Sequence, residues 1–258
     1  MGYLKGVALK RIISEIEKWN RYPYWKNVHG LTEFQYCDRL FRVEAFEDFK
    51  KNVENNRLFF RHPDKWLKDD KLDSILLRLK VVLPDGTEVF QGYYSEIFCQ
   101  CWSTADSKEM WEKYGKDHRM GYIKMVASLD SLMRAFDNTT EFKGYSESFA
   151  AGAVNYSNFD ESTLTIKLNS KSECIAFFNQ KVISQLYLEK RSSYGFENEV
   201  RFLSLNQKDQ RGRDYAYVQV RKPLNQVLQG IIIDSRLKDE ILREKIEKFA
   251  STNGIKVI

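Results

Sequence analysis

The sequence predicts an α+β domain with a mixed β-sheet core and flanking helices. Short apolar runs of strand length recur along the 258 residues, and helical periodicities fall between some of them without the strict alternation of a doubly wound sheet. The chain is 43% apolar and 14% aromatic, which supplies a sizeable core, while 30% charged residues and a mean hydropathy of −0.52 fit a soluble protein. No run of about 18 apolar residues occurs, so no spanning helix is expected. With no repeat, low-complexity tract or Pro/Gly-rich linker, residues 37–258 read as one domain and residues 1–36 as an N-terminal helical extension.

Residues 1–19 read as an amphipathic helix, with Leu4, Val7, Ala8, Ile12, Ile16 and Trp19 near one face, and lack the apolar block and cleavage site of a secretory signal. Residues 20–27, NRYPYWKN, interleave aromatics and cations. They either pack beneath that helix or stack bases and meet phosphates. Residues 39–43 are the first expected strand. A helix over 44–55 follows, with Phe46, Phe49 and Val53 at helical spacing and Asn55-Asn56 as its stop. Arg57–Arg61 is the next strand, closed by His62-Pro63-Asp64. Arg42 near the end of the first strand can fork onto a pyrophosphate or form a surface ion pair.

Residues 72–94 read as a hairpin around Pro84-Asp85-Gly86, and Phe98–Ser103 as a strand ending in a hydroxyl. Asp106 and Glu109 have capping-box spacing for a short helix that Gly115 ends. On it, Trp111 and Tyr114 are i,i+3 neighbours that either line a pocket for a planar ring or pin the helix to the sheet. A strand over 121–127, a helix over 128–137, strands over 152–156 and 162–168, and a long helix over 171–190 follow. Residues 208–214, KDQRGRD, form an exposed turn, and residues 215–220 are expected to hairpin back onto the preceding strand. VLQGIIID, a helix over 237–249 and a strand over 254–258 close the chain.

That preceding strand lies in residues 191–204, RSSYGFENEVRFLS, after a bend at Tyr194-Gly195. In an extended reading Phe196, Val200 and Phe202 share one face, and Glu197, Glu199 and Arg201 the other, roughly 7 Å apart along the strand. Two carboxylates and a guanidinium in a row make either a solvated face or a catalytic one. Four cysteines, at 37, 99, 101 and 174, form neither a disulfide framework nor a metal-spaced set, and a reducing, cytoplasmic setting is expected. With three histidines in the chain, chemistry would fall to carboxylates, arginines, hydroxyls and aromatics. The net charge of +5 is compatible with a polyanionic partner without demanding one.

LFRVEAFEDFKKNVENNRLFFRHPDKW, FCQCWSTADSKEMWEKYGKDHRMGYIKM, GAVNY and YGFENEVRF, in this order over residues 38–258, resemble a large bacterial domain-of-unknown-function family. Its marks are an arginine in an aromatic opening strand, a serine-ended strand before a W-x-x-Y helix, and a late E-x-E-x-R strand. Arg61 stands where that family often has serine, Trp66-Leu67-Lys68-Asp69 replaces an F-N-D-P turn, and the 72–94 hairpin looks like an insertion. The family is in turn distantly similar to ADP-ribosyltransferases. That resemblance implies an ADP-ribosyltransferase-like fold using NAD as co-substrate. Arg42 would hold the pyrophosphate, Ser103 the nicotinamide ribose or amide, and Trp111 or Tyr114 a ring. Glu199 would stabilise the oxocarbenium-like ion and grip the ribose, Glu197 would orient or deprotonate the acceptor, and Arg201 would compensate the paired acids. It further implies a toxin or phage-defence effector modifying RNA, DNA or protein, with an antitoxin as candidate partner and no membrane. Two other classes stay open: a nucleic-acid-binding module without catalysis, and a metal-dependent nuclease using Glu197 and Glu199 with Asp160 or Glu161.

Overall fold

The structure, a computed structural model, describes residues 28–29, 39–66, 73, 80–89, 97–136, 149–157, 165–177, 187–204, 213–220 and 222–258. The first half holds β1 (Val28–His29), β2 (Leu40–Ala45), α1 (Phe46–Glu54), β3 (Arg57–Arg61), β4 (Lys80–Val82), β5 (Glu88–Val89), β6 (Phe98–Ser103), α2 (Lys108–Tyr114), β7 (Tyr122–Ala127) and α3 (Leu129–Phe136). The second holds β8 (Phe149–Ala153), β9 (Asn155–Ser157), β10 (Thr165–Lys167), α4 (Lys171–Phe177), β11 (Glu189–Arg191), β12 (Glu199–Ser204), β13 (Tyr215–Gln219), α5 (Leu224–Val227), β14 (Leu228–Ile233) and α6 (Glu240–Thr252). Helices and a mostly antiparallel sheet are thus mixed, as the sequence predicts. The main sheet runs β1-β8-β12-β6-β2-β7-β14, with β3 also on β6 and β13 on β3.

The sheet splits at β6. One edge of β6 pairs with β12 along its whole length, from Glu199↔Ser103 to Ser204↔Phe98. Its other edge is shared: β2 meets it at Phe41↔Ser103 and β3 at Arg61↔Cys99. Between these two bridges that edge of β6 has no ladder partner among the described residues, and side chains cross the gap. Arg42 Nη1 donates to Cys101 O at 2.8 Å, and Gln100 Nε2 donates to Phe59 O at 3.0 Å while its Oε1 accepts from Trp102 Nε1 at 2.9 Å. Buried backbone polar groups are costly when unpaired, so this seam explains why an arginine and a glutamine stand inside apolar strands.

Alternation assigns the two faces. Phe98 and Trp102 of β6, Leu58 and Phe60 of β3 and Val200 and Phe202 of β12 belong to the hydrophobic core. Helix α1 adds Phe46 and Phe49, both 0% exposed, which meet Phe249 of α6 edge-on at 5.6 and 6.2 Å. Each such ring contributes about 1.5–3 kcal/mol on burial. The other face carries Cys99, Cys101 and Ser103 opposite Leu203, Arg201 and Glu199.

Several expectations change. Residues 171–190 are not one helix: Lys171–Phe177 form α4, but Glu189–Arg191 form β11, parallel to β9. β13 does not hairpin onto β12; it pairs with β3, from Tyr215↔Arg61 to Gln219↔Arg57. The last strand reduces to one bridge, Ile231↔Val257. Helix α2 is capped by Ser107, whose hydroxyl accepts from Met110 N at 3.3 Å, and Asp106 pairs instead with Lys124. The expected helix over 1–19, the 20–27 patch, Asp160 and Glu161, and most of the 208–214 turn lie outside the described residues. Val28 and His29, inside the expected extension, pair in parallel with β8.

Candidate functional site

A cavity of about 230 Å³ opens on the cysteine face of the split, lined among others by Arg42, Ser103, Tyr114, Glu197 and Glu199. Five of the seven residues singled out from the sequence therefore meet at one place. Arg42 arrives from an unexpected side. It shares its strand face with Leu40 and Glu44, and Glu44 accepts from Asn52 of α1 at 3.2 Å. Its guanidinium reaches the cavity only through the seam between β2 and β3.

The acidic row is not a single strand. Ser192–Glu197 is a 3-10 turn, and Asn198 sits in the left-handed region with φ 42° before β12 begins at Glu199. Asparagine tolerates that conformation better than most residues. The break turns Glu197 back toward Glu199, and Lys190 closes the pair with Nζ at 2.5 Å from Glu197 Oε2 and 3.0 Å from Glu199 Oε2. The row is not solvated either: Glu197 is 2%, Glu199 5% and Arg201 0% exposed.

Arg201 lies behind the cavity wall. Its Nε donates to Glu199 Oε1 at 2.8 Å, Nη1 to Tyr187 O at 2.7 Å, and Nη2 pairs with Asp73 Oδ1 at 2.8 Å. Lys113 of α2 pairs with Glu197 Oε1, and Tyr114 Oη donates to the same oxygen at 2.7 Å. Three carboxylates (Asp73, Glu197, Glu199) thus face three cations (Arg201, Lys190, Lys113). Burial alone would raise the Glu199 carboxyl, but Arg201 and Lys190 outweigh it and hold Glu199 well below the usual carboxylate range. Asp73 goes the other way, because its burial outweighs the same two cations. Burial also pushes the Tyr114 phenol upward, with Glu197 adding to the effect, so it stays a donor. The ammonium of Lys190 sits between Glu197 and Glu199 and also lies 3.5 Å from Asp73; Asp160 and Glu161, the further ligands weighed for a metal-dependent nuclease, lie outside the described residues.

Two residues do not do what the sequence suggested. The Ser103 hydroxyl is 0% exposed and committed to backbone: it donates to Glu197 O at 2.7 Å and accepts from Ala105 N at 3.0 Å. It lines the cavity but fixes the 3-10 turn to the end of β6. Trp111 is turned away, its ring 4.6 Å from Lys124 Nζ, so it does not stack in the cavity. The helix is fixed this way round by the Lys124–Asp106 pair and by Arg236 Nη2, which donates to Trp111 O and Gly115 O at 3.0 and 2.9 Å. Cations near helix C-termini are favourable. Met110, Lys113 and Tyr114 then face the cavity together, at helical spacing.

Sequence reasoning missed Lys113, Lys190, Asp73 and Tyr194. Lys113 stands between Trp111 and Tyr114, so that motif pointed at the right turn of helix. Tyr194 lies 4.4 Å from Lys113 Nζ and 4.9 Å from Lys190 Nζ by ring centroid, putting an aromatic face at the cavity rim. Cys99 and Cys101 lie on the cavity wall, and burial pushes both thiols well above their ordinary range.

No family model matches the chain, and no curated protein or solved structure shows significant similarity to it.

Proposed function

We propose that the cavity binds the nicotinamide–ribose end of NAD and that the chain, on an ADP-ribosyltransferase-like fold, transfers ADP-ribose to an acceptor. The observation that carries this reading is the convergence of Arg42 and Glu199, far apart in sequence, on one cavity beside the end of β6. At about 230 Å³ it is smaller than the ~300–1,000 Å³ typical of sites enclosing a whole drug-sized ligand, so it accommodates one end of a dinucleotide.

Breaking the bond between the ribose anomeric carbon and nicotinamide leaves positive charge on the sugar, as in glycoside cleavage. The Glu199 carboxylate, kept ionised by Arg201 and Lys190, stabilises that charge and accepts from a ribose hydroxyl. Both acids are engaged at both oxygens, Glu199 by Arg201 and Lys190 and Glu197 by Lys113, Tyr114 and Lys190. Glu199 therefore acts through its charge and Glu197 orients the acceptor, whose proton passes to solvent as its bond to the anomeric carbon replaces the bond to nicotinamide. Arg42, which donates through Nη1 to Cys101 O and lies 3.9 Å from Glu44 Oε1 through Nη2, offers its remaining Nη hydrogens to the pyrophosphate. Of the two rings first considered, Tyr114 supplies a face in the cavity, with Tyr194 in place of Trp111.

The test is incubation with NAD labelled in its adenylate half and RNA, DNA or protein acceptors. Wild type releases nicotinamide and transfers label, and Glu199→Gln lowers the rate about 10²–10³-fold, the loss typical of removing one charge-stabilising group. Absence of both products with every acceptor, or an unimpaired Glu199→Gln, overturns the reading.

A further inference from the structure

The cavity floor does not end at its rim. Arg57, Phe59 and Arg61 of β3 and Tyr215, Tyr217 and Gln219 of β13 all project to the cavity side, because Arg61↔Cys99 and Tyr215↔Arg61 put these rows in register with the cysteine face. Phe59 and Arg61 line the cavity itself. Beyond them the surface continues as an aromatic shelf whose rings are inclined to one another by 35–71°. Ring centroids are 5.6 Å apart for Phe59–Tyr215, 5.7 Å for Phe59–Tyr217 and 5.4 Å for Tyr215–Tyr217.

These rings are not spent on the core. Tyr215 is 45% and Tyr217 40% exposed. Arg57 lies flat over Tyr217, its Cζ 3.6 Å from the ring centroid, and neither Arg57 nor Arg61 has a carboxylate partner among the described residues. The nearby acids are taken up elsewhere: Asp64 pairs with His62 at 2.8 Å and Asp214 with Lys65 at 2.7 Å. A sheet face with half-exposed aromatic rings beside arginines that have no carboxylate partner among the described residues matches one chemistry well. Bases stack on the rings, and the guanidinium groups meet the phosphates between them. Duplex ends and folded protein surfaces present no comparable series of free planar faces.

We propose that the β3–β13 shelf binds single-stranded nucleic acid and delivers it to the rim of the cavity. As the acceptor track for ADP-ribose this rests on the proposed transferase activity, but binding itself does not, so the two are tested apart. Fluorescein-labelled 12-mers of uridine and of 2′-deoxyuridine are titrated with the full chain while anisotropy is followed, without NAD.

Tyr217→Ala weakens binding about 5- to 150-fold, the range for loss of one stacking ring, and Tyr217→Phe retains it. Tyr215→Ala behaves in the same way. The affinity falls with salt, and Arg61→Gln lowers the slope of log K against log salt by about 0.7, the value for one phosphate contact on a single strand. A preference between the two oligomers tells whether the ribose 2′-hydroxyl is read. Tyr217→Ala leaves nicotinamide release into water unchanged. The shelf proposal is overturned if the chain binds neither oligomer, or if both tyrosine-to-alanine variants, folded as judged by an unchanged melting temperature, bind as wild type does. Modification of a protein by a chain that ignores both oligomers likewise overturns it, while leaving the transferase reading intact.

Discussion

Replacing Lys190 by methionine tests the account of how the acids are held together. Its ammonium lies 2.5 Å from Glu197, 3.0 Å from Glu199 and 3.5 Å from Asp73, and the residue is only 6% exposed. The variant leaves three buried carboxylates with Arg201 and Lys113. Removing one partner from a buried ion pair costs about 3–5 kcal/mol. Glu199 keeps Arg201 and Glu197 keeps Lys113, so the lower end, about 3 kcal/mol, is expected. At an m-value of about 3 kcal/mol/M or less, the urea midpoint falls by about 1 M or more.

The pH dependence follows in sign. Glu199 is depressed in the fold, so its contribution is present above the ordinary carboxylate range and is lost as pH falls through its folded value. Burial opposes the charge of Lys190, but Glu199 and Asp73 outweigh it and raise its pKa, so its contribution is complete below about pH 10.4 and fades above the folded value. Without Lys190 a surplus carboxylate can be relieved only by taking up a proton. The penalty of Lys190→Met is therefore largest near pH 8 and shrinks toward pH 5. Urea unfolding at both values measures it. A loss under about 1 kcal/mol, against the several expected, or an equal loss at the two pH values, would refute the reasoning.

Three more outcomes follow. Asn198→Val puts a β-branched residue at φ 42° and costs about 1–2 kcal/mol by thermal melting, whereas Asn198→Gly is nearly neutral; the reverse order contradicts the kinked reading of the acidic row. Tyr114→Phe removes a donor to a carboxylate and costs about 1.5–3 kcal/mol, read by urea unfolding; no change means the phenol makes no net contribution. Cys99 in the native chain labels with maleimide at least about tenfold more slowly than the half-buried Cys174, as peptide mass spectrometry can follow, because it is buried and burial disfavours its thiolate; equal rates would argue against a closed cavity wall.

Much of the strand framework was legible locally. β3 and β6 have the bounds that apolar runs and turn residues indicate, and α1 stops where Asn55-Asn56 says it should, with Asn56 at φ 47°. The Pro84-Asp85-Gly86 turn also joins β4 to β5 antiparallel. What escaped depends on distant partners. Nothing in residues 215–219 says that their neighbour is β3 rather than β12, since both are apolar antiparallel strands. Lys190 looked like the end of a helix because residues 171–186 carry a helical stripe, and only pairing with β9 makes it a strand residue aimed at the acids. The E-x-E spacing suggested one uninterrupted strand, and the left-handed break at Asn198 has no signal beyond the residue type itself. Burial of the charged row was invisible because its partners, Lys113 and Lys190 for the acids and Asp73 for Arg201, lie in three other segments. Trp111 was misjudged because the face of α2 is set by Lys124 and Arg236, both distant in sequence.

NAD binding tests the central claim most directly, measured by calorimetry on Glu199→Gln, where turnover is suppressed, and on the same chain carrying Arg42→Ala as well. The account predicts saturable one-to-one binding to the first and an affinity at least about tenfold lower, about 1.4 kcal/mol, in the second. No heat of binding in the first, or equal affinity in the two, would contradict a cavity built by an early arginine and a late glutamate around one end of a dinucleotide.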